Sequence, residues 1–291
     1  MNDLKNTIIG SLLQDNYVLG LHWIYDTDRI ASLFDEDAKV FDVLPDSFHK
    51  TKIKGDFTHY GDQTMMLMQY LIDHDQPDIA SFYESFLPWF ETYQGYKDKA
   101  MKMVASNIKQ GLYQGSDSSE LGGLCKIAPL LYKYADRPNL AKLYAIAFTK
   151  ATHDHPMVVM LASYFTDVIY AVADGMSISN ALARYIETMP TEVADLYVEA
   201  KQSVDKDPVD SIKRFGQACP ANMAFPSVIY LLLKYDTDIQ AMQKANILAG
   251  GDSAARGMML GMVLGAAGVI CEQDIESINR KDEMMRLISS L

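Results

Sequence analysis

Apolar residues recur at three- and four-residue spacing along almost the whole chain, the period of helices that bury one face. Ile8, Ile9, Leu12 and Leu13 begin a first helix that reaches toward Gly20. The stretch Asp78–Tyr93 starts behind Pro77 and is rich in aromatic side chains. Further helices are predicted over 140–150, 157–172, 178–188, 192–203, 227–235 and 238–248, with a last pair over 253–270 and 277–291. Strict apolar–polar alternation is nearly absent, and Lys39–Val43 is the best candidate strand. The pattern predicts an all-α protein. No Pro-, Gly- or Ser-rich linker and no repeat of fixed period divides it, so residues 1–291 are expected to form a single domain. The longest stretch without helical periodicity runs from about Phe34 to Tyr60, and long loops on a helical scaffold often carry function.

Composition narrows this picture. With 291 residues, 49% hydrophobic and 22% charged, the chain can bury a large core without covalent staples. Cys125, Cys219 and Cys271 lie far apart and form no CxxC pair, which argues against a disulfide framework or a structural zinc site. No apolar run is read as reaching the ~18 residues of a membrane span, and MNDLKNTIIGSLLQDN lacks a signal-peptide pattern. A cytoplasmic protein with no membrane contact is expected. The net charge of -12 offers no basic face for a nucleic-acid backbone. An anionic small ligand would need a local positive field from helix N-termini, an Arg or metal ions.

Four loop-to-helix junctions carry candidate chemistry. In HYGDQT, Asp62 stands where a carboxylate can cap a helix or hold a divalent cation. In AGGDSAARG, two glycines reverse the chain before Asp252 and Ser253 open a long apolar helix. Glycines at 257, 261, 265 and 268 along that helix predict close backbone packing at the centre of the molecule. In ATHDHP, His153 and His155 flank an aspartate just before Pro156, a spacing suited to a hydrogen-bonded hinge and not to a zinc-binding HExxH helix. In SDSSELGGLCKIAPLL, the amides beside Gly122 and Gly123 can cradle an anion, although no P-loop lysine follows.

Together, and in this order, the motifs resemble those of the ADP-ribosylglycohydrolase superfamily, in texture its J1-crystallin and selenoprotein J branch. IIGSLLQDNYVLG is similar to the family's opening G-x-x-x-G-D-A-x-G helix, and HYGDQTMM to its Y-T-D-D-T motif. SSELGGLCKIAPL resembles the Gly-rich segment before R-x-x-P, and THDHP resembles T-H-x-H-P. AGGDSAARGMMLGMVLGA resembles G-G-D-T-D-T-x-A with its Gly-rich helix, and LHWIYD is a mark of the crystallin-like branch. The resemblance covers nearly the full length. It implies an orthogonal multi-helix bundle and a cleft for ADP-ribose beside two Mg2+ or Mn2+ ions. There the metal orients the ribose hydroxyls and a water, and a carboxylate helps deprotonate that water.

This chain departs from the pattern at the metal ligands. The family's T-D-D falls on Gly61, Asp62 and Gln63, and the ligands of D-T-D-T fall on Asp252, Ala254 and Ala255. One carboxylate survives in each motif. By resemblance, Asp62 and Asp252 are therefore the residues expected to position the nucleophilic water, directly or through one ion, with the Gln63 carbonyl as a further oxygen. Gly122 and Gly123 would present amides to the ligand, with His153, His155 and Arg256 in support. Arg256, at i+4 from Asp252, can pair with it and replace a metal's charge. Asp15, Asp26 and Asp56 are other carboxylates from which a different metal site could be rebuilt. The expected activity is hydrolysis of an N- or O-glycosidic bond in an ADP-ribosyl or related ribosyl substrate. The alternative is a non-catalytic ligand-binding or crystallin-like structural relative that has lost the dinuclear centre. Carboxylates of Asp62 and Asp252 within ~5–8 Å across an open cleft would favour the first. An Arg256 ion pair filling the centre would favour the second.

Overall fold

Most helices begin at a side chain that satisfies their free amides. Asp26, Thr58, Asp78, Asp98, Ser177, Asp207, Asp238 and Asp252 each accept a hydrogen bond from an amide in the first turn that follows. Prolines 138, 156 and 208 occupy first helical positions, where a missing N–H costs nothing. The computed structural model describes residues 3–270 and 272–291; Cys271 lies outside the described residues.

The helices are α1 (Lys5–Val18), α2 (Thr27–Leu33), α3 (His59–Asp73), α4 (Ile79–Thr92) and α5 (Lys99–Lys109). They continue as α6 (Ala128–Lys133), α7 (Pro138–Lys150), α8 (Pro156–Ala173), α9 (Ile178–Ile186) and α10 (Thr191–Lys201). The chain closes with α11 (Pro208–Phe215), α12 (Ala221–Tyr235), α13 (Ile239–Leu248), α14 (Ser253–Ala266) and α15 (Lys281–Ser290). Every residue of α14 is buried, and one continuous apolar core surrounds it. The glycines that predicted close packing provide it: a Cβ on Gly261 would sit 2.2 Å from the Gly10 carbonyl oxygen, so α1 and α14 touch backbone to backbone.

The all-α expectation holds, and the exceptions have physical reasons. Lys39–Val43 is not a strand, and among the described residues no named strand occurs; the pairings Ser116–His153 and Glu120–Pro220 are isolated bridges. Among the described residues no strand runs beside 40–43. Instead Val40 and Phe41 turn inward, the Phe41 ring lying against Phe34 at 5.6 Å and Tyr17 at 5.5 Å. Asp62 is not the cap of its helix: α3 starts earlier, at His59, and the Thr58 hydroxyl takes the Tyr60 amide. The helix expected to reach residue 270 stops at Ala266, and Gly268 follows at φ +79. The last helix starts at Lys281, because 272–277 wind into a 3-10 segment. Contrary to the expectation from apolar runs, Pro156–Ala173 has the length and mean hydropathy, 1.5, of a membrane span. It packs as a core helix, with Leu161, Tyr164, Phe165 and Val168 fully buried.

Candidate functional site

The motifs converge because their loops are tied together. Two left-handed glycines, Gly250 and Gly251 at φ +71 and +69, turn the chain into α14. The Gly251 amide donates to the Ile24 carbonyl at 2.7 Å, and the Trp23 amide donates back to the Gly251 carbonyl at 2.9 Å. The Asp252 amide donates to the Gln217 carbonyl at 2.8 Å. Loop 217–220 is joined in turn to 119–121, by Leu121 to Cys219 and Ala221 to Ser119. Ser116 is laced to Thr152 and Asp154, which seats the histidine hinge.

Asp252 is fully buried and caps α14 by accepting from the Ala255 amide at 3.1 Å. His22 Nε2 donates to the same carboxylate oxygen at 3.0 Å, and the Tyr60 hydroxyl donates to the other at 3.2 Å. Burial pushes the carboxyl up, but the His22 bond, the Ala255 amide and Arg256 outweigh it and bring it down to about 2. Ionised Asp252 fixes tautomers beyond itself. If His22 donates from Nε2, its Nδ1 accepts, so His49 Nε2 must donate across the 2.9 Å contact between them. His49 Nδ1 is then left as a buried lone pair without a partner among the described residues. His59 lies in the same stack, 5.7 Å from His49 and 3.9 Å from Tyr60 between ring centres.

Asp62 lies elsewhere in the charge pattern. Lys52 Nζ donates to it at 2.5 Å, the Tyr93 hydroxyl at 2.6 Å and Arg280 Nη1 at 3.0 Å. It lines a cavity of about 430 Å³ with Tyr93, Arg280 and Glu283, while Asp252 is sealed behind His22 and Tyr60. Among the described residues the two carboxylates share no hydrogen-bond partner.

The other expected residues divide. Arg256 does not pair directly with Asp252. Helical side chains lean toward the N-terminus, and its guanidinium reaches back to Asn246 Oδ1 at 3.0 Å and the Gly250 carbonyl at 2.5 Å. Gln63 turns its amide nitrogen to Asp98 at 3.0 Å. Gly122 and Gly123 form no open cradle: they are buried, and a Cβ on them would meet the Tyr60 ring at 2.2 Å and the His153 ring at 2.7 Å. Their small size serves packing. His153 is buried, its Nδ1 on the Thr152 hydroxyl at 3.0 Å, with Nε2 unpartnered among the described residues. His155 is half-buried at the start of α8. The open part of this region is a groove of about 410 Å³ lined by Lys99, Ser116–Glu120 and Ala218–Pro220. Glu120 stands in it, raised to about 7 by burial and then by the charges of Asp98 and Asp252. Cys219, also lining it, is held protonated, first by burial and then by the Asp252 charge.

The divalent ion that the resemblance implies does not fit this arrangement. Hard cations need carboxylate oxygens free to coordinate. The Asp62 oxygens face Lys52, Tyr93 and Arg280, those of Asp252 face His22, Tyr60 and an amide, and Asp15 accepts from the Thr58 amide and hydroxyl. Among the described residues, no group of three or more His, Cys, Asp or Glu side chains is placed to hold a metal.

Sequence reasoning missed Lys52, Tyr93, Arg280, His22, His49, Glu120 and Cys219. His22 had a signal in LHWIYD, and His49 and Lys52 lie in the long loop already marked as a place for function.

The buried histidines set an acid limit on stability. His22, His49, His59 and His153 are all held below the usual histidine range, chiefly by burial. A group lowered on folding lends stability that is complete above its unfolded pKa, near 6.5, and lost as pH falls. Asp15, Asp98 and Glu120 are raised by burial and act in the opposite sense over the same window. Four histidines against three carboxylates leave the histidines in excess, so unfolding free energy should fall as pH drops from about 6.5 toward 4.5. Urea midpoints across that range check the sign; a midpoint that rises on acidification would contradict it.

Comparison with known proteins follows the motifs. The ADP-ribosylglycohydrolase family model matches residues 3–289. Crystallin J1A of Tripedalia cystophora is 20% identical over 276 residues, covering 88% of this chain and 85% of the crystallin. Crystallin J1B of the same organism is 20% identical over 279 residues, with the same coverage. A solved structure titled as an ADP-ribosylglycohydrolase-related protein complex superposes with a TM-score of 0.67 at 15% identity, covering 99% of this chain and 96% of that one. At that identity the likeness speaks for the fold alone.

Proposed function

We propose a function from one premise: the chain belongs to the ADP-ribosylglycohydrolase family. The reading is that it binds a ribosyl or nucleotide-like small molecule in the groove between 116–120 and 218–220, without a dinuclear metal centre. One observation carries it. The motif carboxylates Asp62 and Asp252 are bonded to donors of the chain itself, while a groove near Asp252, lined by Glu120 and Cys219, stays open. Its size, about 410 Å³, is that of a small-molecule site, and Ser118, Ser119 and Lys99 supply donors for hydroxyls or phosphate. The crystallin relatives agree with a family member retained for something other than metal-dependent hydrolysis, by analogy only.

A second reading keeps the glycosidic chemistry. Glu120 lines the groove with its carboxyl raised to about 7, the range in which a group can give and take a proton near neutrality. It would protonate the leaving group at the ribose anomeric carbon.

Calorimetry with ADP-ribose, with EDTA and then with Mg2+ or Mn2+, tests the first reading. Equal affinity in all conditions is expected, and no binding in any of them would remove it. Release of ADP-ribose from an ADP-ribosylated protein in EDTA tests the second. Turnover lowered by about 10²-fold or more in Glu120→Gln would favour it. No turnover by the unsubstituted chain leaves the binding reading alone.

A further inference from the structure

The strongest feature outside the groove is the set of donors on Asp62. A lysine from the loop before α3, a tyrosine from the end of α4 and an arginine at the start of α15 meet on one carboxylate. Lys52 and Asp62 are 13% and 5% exposed, so this pair is shielded from salt far better than surface pairs are. We propose that Lys52 and Arg280 are a built-in substitute for a divalent cation at Asp62, and that removing both turns this cavity into a metal-binding one.

The charge is matched: two side-chain cations bring what one divalent ion would bring. The oxygens are also in place. Asp62 and the Tyr93 phenol face the cavity, and Arg280 occupies the Glu283 carboxylate through bonds of 2.7 and 2.9 Å that its removal would free. Asp15 adds negative charge nearby, close enough to feel both Asp62 and Lys52, while its own oxygens stay on Thr58. A cavity of about 430 Å³ leaves room for an ion that keeps several waters, as Mg2+ and Mn2+ do. With Lys52 and Arg280 present, a divalent ion meets like charge at the carboxylate it needs. The same two side chains tie loop 34–58 and the start of α15 to α3, so the substitution also fixes the chain where a metal would otherwise cross-link it.

Mn2+ titration followed by electron paramagnetic resonance, on the full chain and on Lys52→Met/Arg280→Met, tests this. The unsubstituted chain should leave Mn2+ free. The double variant should bind it more tightly by about tenfold to a hundredfold and gain thermal stability as it does. A double variant that unfolds without metal should regain its helical circular dichroism on adding Mn2+. Equal Mn2+ binding by both chains would overturn the proposal. So would a double variant that neither binds Mn2+ nor is refolded by it. The ADP-ribose calorimetry uses the unsubstituted chain, so the two proposals fail separately.

Discussion

Replacing Arg256 with methionine should lower the unfolding free energy by about 3–5 kcal/mol, because several buried acceptors lose a charged donor at about 1–3 kcal/mol each. Arg256 is completely buried at the centre of the molecule. Burial lowers it to about 10, so it remains charged at neutral pH. Its donors reach Asn246 Oδ1 and the carbonyls of Gln217, Asn246 and Gly250. Methionine keeps much of the volume but takes the guanidinium donor from Asn246 Oδ1 and from the Asn246 and Gly250 carbonyls, and removes a positive charge that helps hold Asp252 ionised. The loss has two parts with separate signatures. The unmet carbonyls lie in the turn that sets Gly250 and Gly251, so hydrogen exchange at 249–252 should rise first. The unbalanced Asp252 should make the penalty smaller at low pH, where the carboxylate is more readily neutralised. Urea unfolding at pH 7 measures the total. A cost under about 1 kcal/mol would mean that Arg256 is a passenger in the core and not its electrostatic centre.

The sequence motif led to Arg256 for a reason the structure replaces. Spacing alone puts Arg256 one turn after Asp252, but a helix aims its side chains toward its own N-terminus, beyond the cap, where the free carbonyls of 246–250 lie. Long periodic segments such as α4, α8 and α14 were legible, because each carries enough repeats to show its period. The short helices Thr27–Leu33, Ala128–Lys133 and Pro208–Phe215 were not, since two turns hold too few apolar positions to distinguish them from loop. The site was legible by segment and not by partner. Asp62 and Asp252 follow from their motifs, but Arg280 lies 218 residues from Asp62 and His22 lies 230 from Asp252. No periodicity reports a contact at that separation. The ligand positions that the resemblance implies, empty of side-chain oxygen at Gly61, Ala254 and Ala255, are the sequence side of the proposal made for Lys52 and Arg280, which pair with Asp62.

The other large effect concerns the crossing of α1 and α14. Gly261→Ala should cost about 3 kcal/mol or more, at the upper end of overpacking penalties, because the new methyl meets backbone. A Cβ there lies 2.2 Å from the Gly10 carbonyl oxygen, and one on Gly10 lies 2.3 Å from the Gly261 oxygen. Backbone within two helices cannot swing aside as a side chain can, so the helices must part. Parting them loosens Ile8, Leu12, Leu260 and Leu264, all in the core. Gly257 is the internal control: its nearest would-be neighbours are the Asn246 amide nitrogen at 3.2 Å and the Gln14 Cβ of α1 at 3.3 Å, both on side chains. Gly257→Ala gains helix propensity and should change stability by less than about 1 kcal/mol. The mechanism also predicts non-additivity. Once Gly261→Ala has separated the helices, Gly10→Ala finds the space already open, so the double variant should cost less than the two singles together. Strictly additive costs would show that each glycine is needed for a local reason, and that the two helices are not held at one shared point of contact.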